Sequence, residues 1–98
     1  MTDDFTLDLF LPRVGEVFHV SAEGRQVPIL LSEVSRLPTE GSTRRKREPF
    51  ALVFHAARGS GLNEQLYRLE TPGLDPFDCF LVRLAPDGVG ERYEAIYS

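Results

Sequence analysis

The chain has 98 residues, a single cysteine, no tryptophan and a formal net charge of -4, from 15 acidic and 11 basic side chains. That length predicts one domain over residues 1–98, with a core that needs no metal or disulfide framework, and a lone thiol excludes an internal disulfide. The acidic balance disfavours a general nucleic-acid binder, and no apolar run approaches the roughly 20 residues of a membrane-spanning helix. Acidic residues at Asp3 and Asp4 stand where a secretory signal carries base, so a cytoplasmic, non-membrane protein is expected.

Leu7, Phe10, Leu11 and Val14 form one apolar helical stripe, with Thr6 as a candidate N-cap and acidic residues near the positive end of the dipole. A short helix is predicted over residues 6–11, limited by Pro12. Two β-rich runs follow, residues 16–21 and 27–34, joined by Ala22-Glu23-Gly24-Arg25, with Gly24 free to take the left-handed conformation of a hairpin loop. Pro28 cannot donate to a ladder and is expected at a strand start or edge. Residues 38–49 offer almost nothing to bury and read as a long exposed loop.

Residues 50–56, 65–71, 77–84 and 91–97 complete the strands. The clearest signal is the segment from Leu62 to Arg83, two alternating arms around Pro72-Gly73, a pair suited to a tight turn. The fold expected is all-β with one short N-terminal helix: a six-stranded antiparallel roll or small barrel.

Reactive chemistry is sparse. His19 and His55 lie in strands beside phenylalanines, without the spacing of a metal site, and are expected to face solvent or an edge. Ser60, in Gly59-Ser60-Gly61, lacks the strand-to-helix context of a nucleophile elbow and reads as part of a flexible link. The carboxylate pairs Asp75/Asp78 and Glu64/Glu70 read as surface charge, and Cys79, between apolar neighbours, as a buried inert thiol. The run Arg44-Arg45-Lys46-Arg47 could grip phosphates in the manner of a small oligonucleotide-binding barrel. Against this, the aromatics do not interleave with it and the rest of the chain is acidic.

Taken together, Phe10-Leu11-Pro12-Arg13-Val14-Gly15-Glu16-Val17-Phe18, Phe50-Ala51-Leu52-Val53-Phe54, Tyr67-Arg68-Leu69-Glu70-Thr71-Pro72, Phe77-Asp78-Cys79-Phe80-Leu81-Val82 and Arg92-Tyr93-Glu94-Ala95-Ile96 resemble an uncharacterised bacterial domain family of similar length. The resemblance implies no assigned activity and an association with phage-tail-collar-like fibre genes. The chain departs from the family pattern at Glu64, Gln65, Thr71, Asp75 and Arg83, which fits turn and core positions better than catalytic ones.

The function expected is a non-catalytic protein-interaction module, an accessory of a phage-tail-like or surface-fibre assembly, with no cofactor and no metal, and with homo-oligomerisation allowed. The alternatives are a nucleic-acid-binding barrel using residues 44–47, or a small-molecule or enzymatic site at the barrel mouth. If the sheet does not fully close, Pro28 and Glu91, Arg92 and Glu94 read as guarded edges. Tyr93 and Tyr97, on one side of the last strand, are then candidate partner contacts beside Arg44, Arg45, Lys46 and Arg47, unless the two rings finish the core.

Overall fold

A computed structural model describes residues 7–37, 49–88 and 90–97. A one-turn helix α1 (Leu7–Phe10) runs into a 3-10 turn (Leu11–Arg13), followed by six strands: β1 (Val17–Ala22), β2 (Arg25–Arg36), β3 (Phe50–Ala56), β4 (Gln65–Thr71), β5 (Leu74–Leu84) and β6 (Glu91–Tyr97). Every paired strand is antiparallel, and the order β1-β2-β3-β6-β5-β4 closes into a barrel.

Closure is the main difference from the sequence expectation of edges. β1 pairs with β4 over His19–Ser21 and Arg68–Glu70, and β6 lies between β3 and β5, so Glu91, Arg92 and Glu94 guard no edge. Pro28 is tolerated for a related reason. It pairs with His19 on β1, while β2 meets β3 only from Leu30 onward, so the missing N–H falls where β2 has one ladder neighbour. No helix among the described residues is long and apolar enough to cross a membrane.

Local sequence accounts for the turns. Ala22 pairs with Arg25, leaving a two-residue hairpin loop in which Glu23 (φ 49°) and Gly24 (φ 79°) are both left-handed, the tightest loop compatible with strand twist. Gly24 was legible as the permissive residue; Glu23 adopts the same region without that freedom. Pro72-Gly73 joins β4 to β5 with Gly73 at φ 87°, and the Arg13 guanidinium clamps this turn through the carbonyls of Pro72 (3.2 Å) and Gly73 (3.1 Å). Pro12 limits the α-helix, which ends at Phe10. It lies in the first turn of the 3-10 segment, where a missing N–H leaves no bond unmade.

Inward residues alternate along the strands: Phe18 and Val20 on β1; Val27, Ile29 and Leu31 on β2; Tyr67 and Leu69 on β4; Phe77, Cys79 and Leu81 on β5; Tyr93 and Ala95 on β6. β3 is buried along nearly its whole length on both faces. A bulge at Ser32, between Leu31 and Glu33, changes the phase of β2 so that Val34 rejoins the core side. One end of the barrel is stoppered by Leu7 and Phe10, with the Phe10 ring 5.8 Å from Phe50 and 5.7 Å from Phe77. The other is covered by the link between β3 and β4, through buried Ser60 and Leu62.

Cys79 is buried, and its thiol is pushed up to about 11 by desolvation, which outweighs a hydrogen bond with Tyr97. The native protein is expected to react with a thiol reagent at least a hundredfold more slowly than the chain in denaturant. Stopped-flow labelling with and without denaturant measures the ratio; comparable rates would place the thiol outside the core.

Candidate functional site

The outer wall of β4, β5 and β6 carries an apolar row that the alternation of the strands does not require. Leu66 is 59%, Phe80 54% and Ile96 58% exposed, and Val82 is 39% exposed. Leu66 and Phe80 are direct cross-strand partners. Val82 pairs with Glu94, and extending that register by two residues sets Phe80 opposite Ile96. The three large side chains thus share one register position on adjacent strands, Phe80 and Ile96 two residues past the last β5–β6 pair, with Val82 next to Phe80 along β5. Single exposed hydrophobics are ordinary, whereas a group of this size is a candidate contact surface. Charged residues surround it: Arg68, paired with Asp78 at 3.4 Å, on one side, and Glu64 and Glu94 on the other. Val17 and Leu30, cross-strand partners on β1 and β2, form a smaller apolar pair elsewhere on the wall.

Sequence reasoning missed this face, although a signal was present. A strand buried on one side has room for one apolar residue in two. Leu66-Tyr67, Cys79-Phe80-Leu81 and Ala95-Ile96-Tyr97 each place a surplus apolar residue next to the buried ones.

The residues proposed from sequence lie elsewhere. Tyr93 is fully buried, and Tyr97 is half-buried, its ring stacked on Phe50 (5.4 Å) and its Oη donating to the Asp78 carbonyl at 3.1 Å. Both tyrosines face the barrel interior: Tyr93 offers no surface, and Tyr97 only part of its side chain. Burial pushes both phenols up, with Cys79 adding to the effect at Tyr97. Arg44, Arg45, Lys46 and Arg47 lie outside the described residues, as does most of the expected loop over 38–49.

Two polar clusters assemble only in the folded chain. At the β3–β4 end, the Glu91 carboxylate accepts from Ser60 Oγ (2.6 Å), Tyr93 Oη (2.9 Å), the Gly59 amide (3.0 Å) and Arg83 (3.4 Å). These donors, the Ser60 hydroxyl first, hold Glu91 down to about 2. Arg25 donates to the Ser60 carbonyl at 2.8 Å. Ser60 is therefore not a loose linker residue but the fastener of this end of the barrel.

On the outside, His55 Nδ1 lies 2.8 Å from Ser32 Oγ and Nε2 lies 2.9 Å from Asp87 Oδ2, so His55 faces neither open solvent nor an edge. The Ser-His-Asp order of contacts resembles that of a hydrolytic triad, but the Ser32 hydroxyl is also engaged with the backbone. Asp87 only accepts, which places a proton on Nε2, and Ser32 donates its single proton to the Val53 carbonyl at 3.0 Å. The group pins the β5–β6 turn and satisfies the bulge at Ser32.

Glu64 accepts from the Arg83 amide at 3.1 Å, and Asp78 is tied to Arg68, so the carboxylates weighed for acid-base work are dispersed. His19 stands opposite Glu70 beside a hollow of about 400 Å³ that is also lined by Thr71, Pro72, Leu74 and Pro76. The hollow runs from the His19–Glu70 pair to the β4–β5 turn. Among the described residues, no group of three or more His, Cys, Asp or Glu side chains is placed to hold a metal ion.

No curated protein and no solved structure matches the chain. A family model does, over residues 5–97, and the chain belongs to that family, described as a domain of unknown function (DUF6916).

Proposed function

We propose that this domain is a non-catalytic protein-interaction module whose docking face is the row Leu66, Phe80 and Ile96, with Val82. The observation that supports it is the grouping of Leu66, Phe80 and Ile96 across three adjacent strands, each more than half exposed, with Val82 at 39% beside them. Each leaves apolar area in water that the barrel interior, already filled, has no room for, and covering it with another protein surface is favourable by about 25 cal/mol per Å². The acidic character of the chain and its single buried thiol suit a cytoplasmic setting. The narrower role, an accessory of a phage-tail-like or surface-fibre assembly, rests on the sequence resemblance alone.

The test is affinity capture with wild type, Phe80→Glu and Ile96→Glu baits. These solvent-facing changes should leave folding stability within about 0.5 kcal/mol and abolish retention of the bound protein. Retention unchanged in both variants would overturn the reading.

A further inference from the structure

We infer that the occupant of the Leu66–Phe80–Ile96 face is a second copy of this chain, forming a weak two-fold dimer. This rests on the reading of that face as an interaction surface and adds the identity of the partner. The argument begins from size. The exposed apolar centre is on the order of 400 Å², against the roughly 800 Å² that each partner of a standard interface contributes, so the charged rim must take part for a specific complex to form. The rim is where self-complementarity appears.

On the β4 side of the face, Arg68 lies two residues beyond Leu66 in one direction and Glu64 two residues in the other. A two-fold axis along the apolar row lays β4 antiparallel over the same strand of the other copy. It sets Phe80 on Phe80 and brings Arg68 over the other copy's Glu64, twice. Each contact is thus made in duplicate from one surface, as an isologous interface requires. Both rim residues are exposed, and the Arg68–Asp78 ion pair leaves the guanidinium on the outer wall, where it can reach a carboxylate above it. A barrel wall is convex, which restricts the contact to the row and its immediate rim and keeps the dimer at the weak end of specific association.

Sedimentation velocity from about 10 µM to about 1 mM reads the outcome, a range that brackets weak association. Wild type should move from monomer toward twice the monomer mass. Phe80→Glu should stay monomeric throughout with an unchanged melting temperature. Arg68→Glu should weaken association at least tenfold, and Arg68→Glu combined with Glu64→Arg should restore it, because the pair is then reversed instead of broken. Wild type remaining monomeric at all concentrations would overturn the dimer while leaving capture of a different protein by the same face intact. Dimerisation that survives Phe80→Glu would place the contact elsewhere and overturn the proposal. A double variant no better than Arg68→Glu would overturn the two-fold arrangement. The affinity-capture experiment tests the interaction reading separately, since it reads retention of another protein in the same Phe80→Glu background.

Discussion

Replacing Phe10 with alanine is expected to destabilise the protein by about 3–5 kcal/mol, the largest effect of any single change proposed for this chain. Phe10 is fully buried at the end of a helix of only four residues, too short to be stable by itself, so its ring and Leu7 anchor the cap to the barrel. The ring makes an edge contact with Phe77, tilts against Phe50 and lies nearly parallel to Tyr97 with centroids 6.5 Å apart. Alanine removes the stopper from one end of the barrel and also leaves Phe77, Phe50 and Tyr97 facing the vacated volume. Denaturant titration measures the loss. Phe10→Leu should cost less than half as much, because it retains most of the buried area. A loss below about 1 kcal/mol for alanine would show that the cap is not integral to the core.

The second large effect is on acid stability. Glu91, its side chain 12% exposed, is held at about 2 by the Ser60 hydroxyl, the Gly59 amide and the Tyr93 hydroxyl, with Arg83 contributing, against an ordinary value of 4.5. A carboxyl whose folded value lies below its unfolded value stabilises the fold wherever it is ionised in both states. That contribution is complete above about pH 5 and is lost as pH falls from 4.5 through 2. Glu91→Gln keeps the shape but removes the charge, and should cost about 1–3 kcal/mol at neutral pH. The gap between the two proteins should narrow steadily between pH 5 and pH 2, and unfolding curves over that range check it. Parallel curves would assign the acid transition to other carboxylates.

Much of the barrel was written in local pattern. Alternation of Phe18 with Val20, of Tyr67 with Leu69, and of Phe77 with Cys79 and Leu81 fixed which face of each strand is buried, because neighbouring side chains on a strand point opposite ways. Pro72-Gly73 and Gly24 marked turns for an equally local reason, the backbone angles that those residues favour or permit. Of the helical stripe only Leu7 and Phe10 lie in the helix and are buried; Leu11 and Val14 are exposed because the chain leaves the α-helix after Phe10, and Thr6, the expected cap, lies outside the described residues.

Tertiary structure decided what depends on residues far apart in the chain. Pairing of β1 with β4 closes the barrel and removes the edges on which a partner-binding role for Tyr93 and Tyr97 had depended. Closure turns that face of β6 inward, and Tyr93 becomes core while Ile96, the residue before Tyr97, becomes surface. Gly90 illustrates the same dependence. A Cβ there would stand 2.5 Å from the Ala56 carbonyl oxygen, a demand set by β3 and unreadable from Gly88-Val89-Gly90.

The candidate face and both polar clusters have the same origin. His55 meets Ser32 and Asp87, and Glu91 meets Ser60, across 23 to 32 residues of sequence, and the row Leu66, Phe80 and Ile96 exists only because β4, β5 and β6 are neighbours in a particular register. Sequence determined the strand faces and turns, since side-chain alternation and backbone preference act within a few residues. Which outward residues become neighbours was decided by strand order and register, which are set by the packing of the whole barrel.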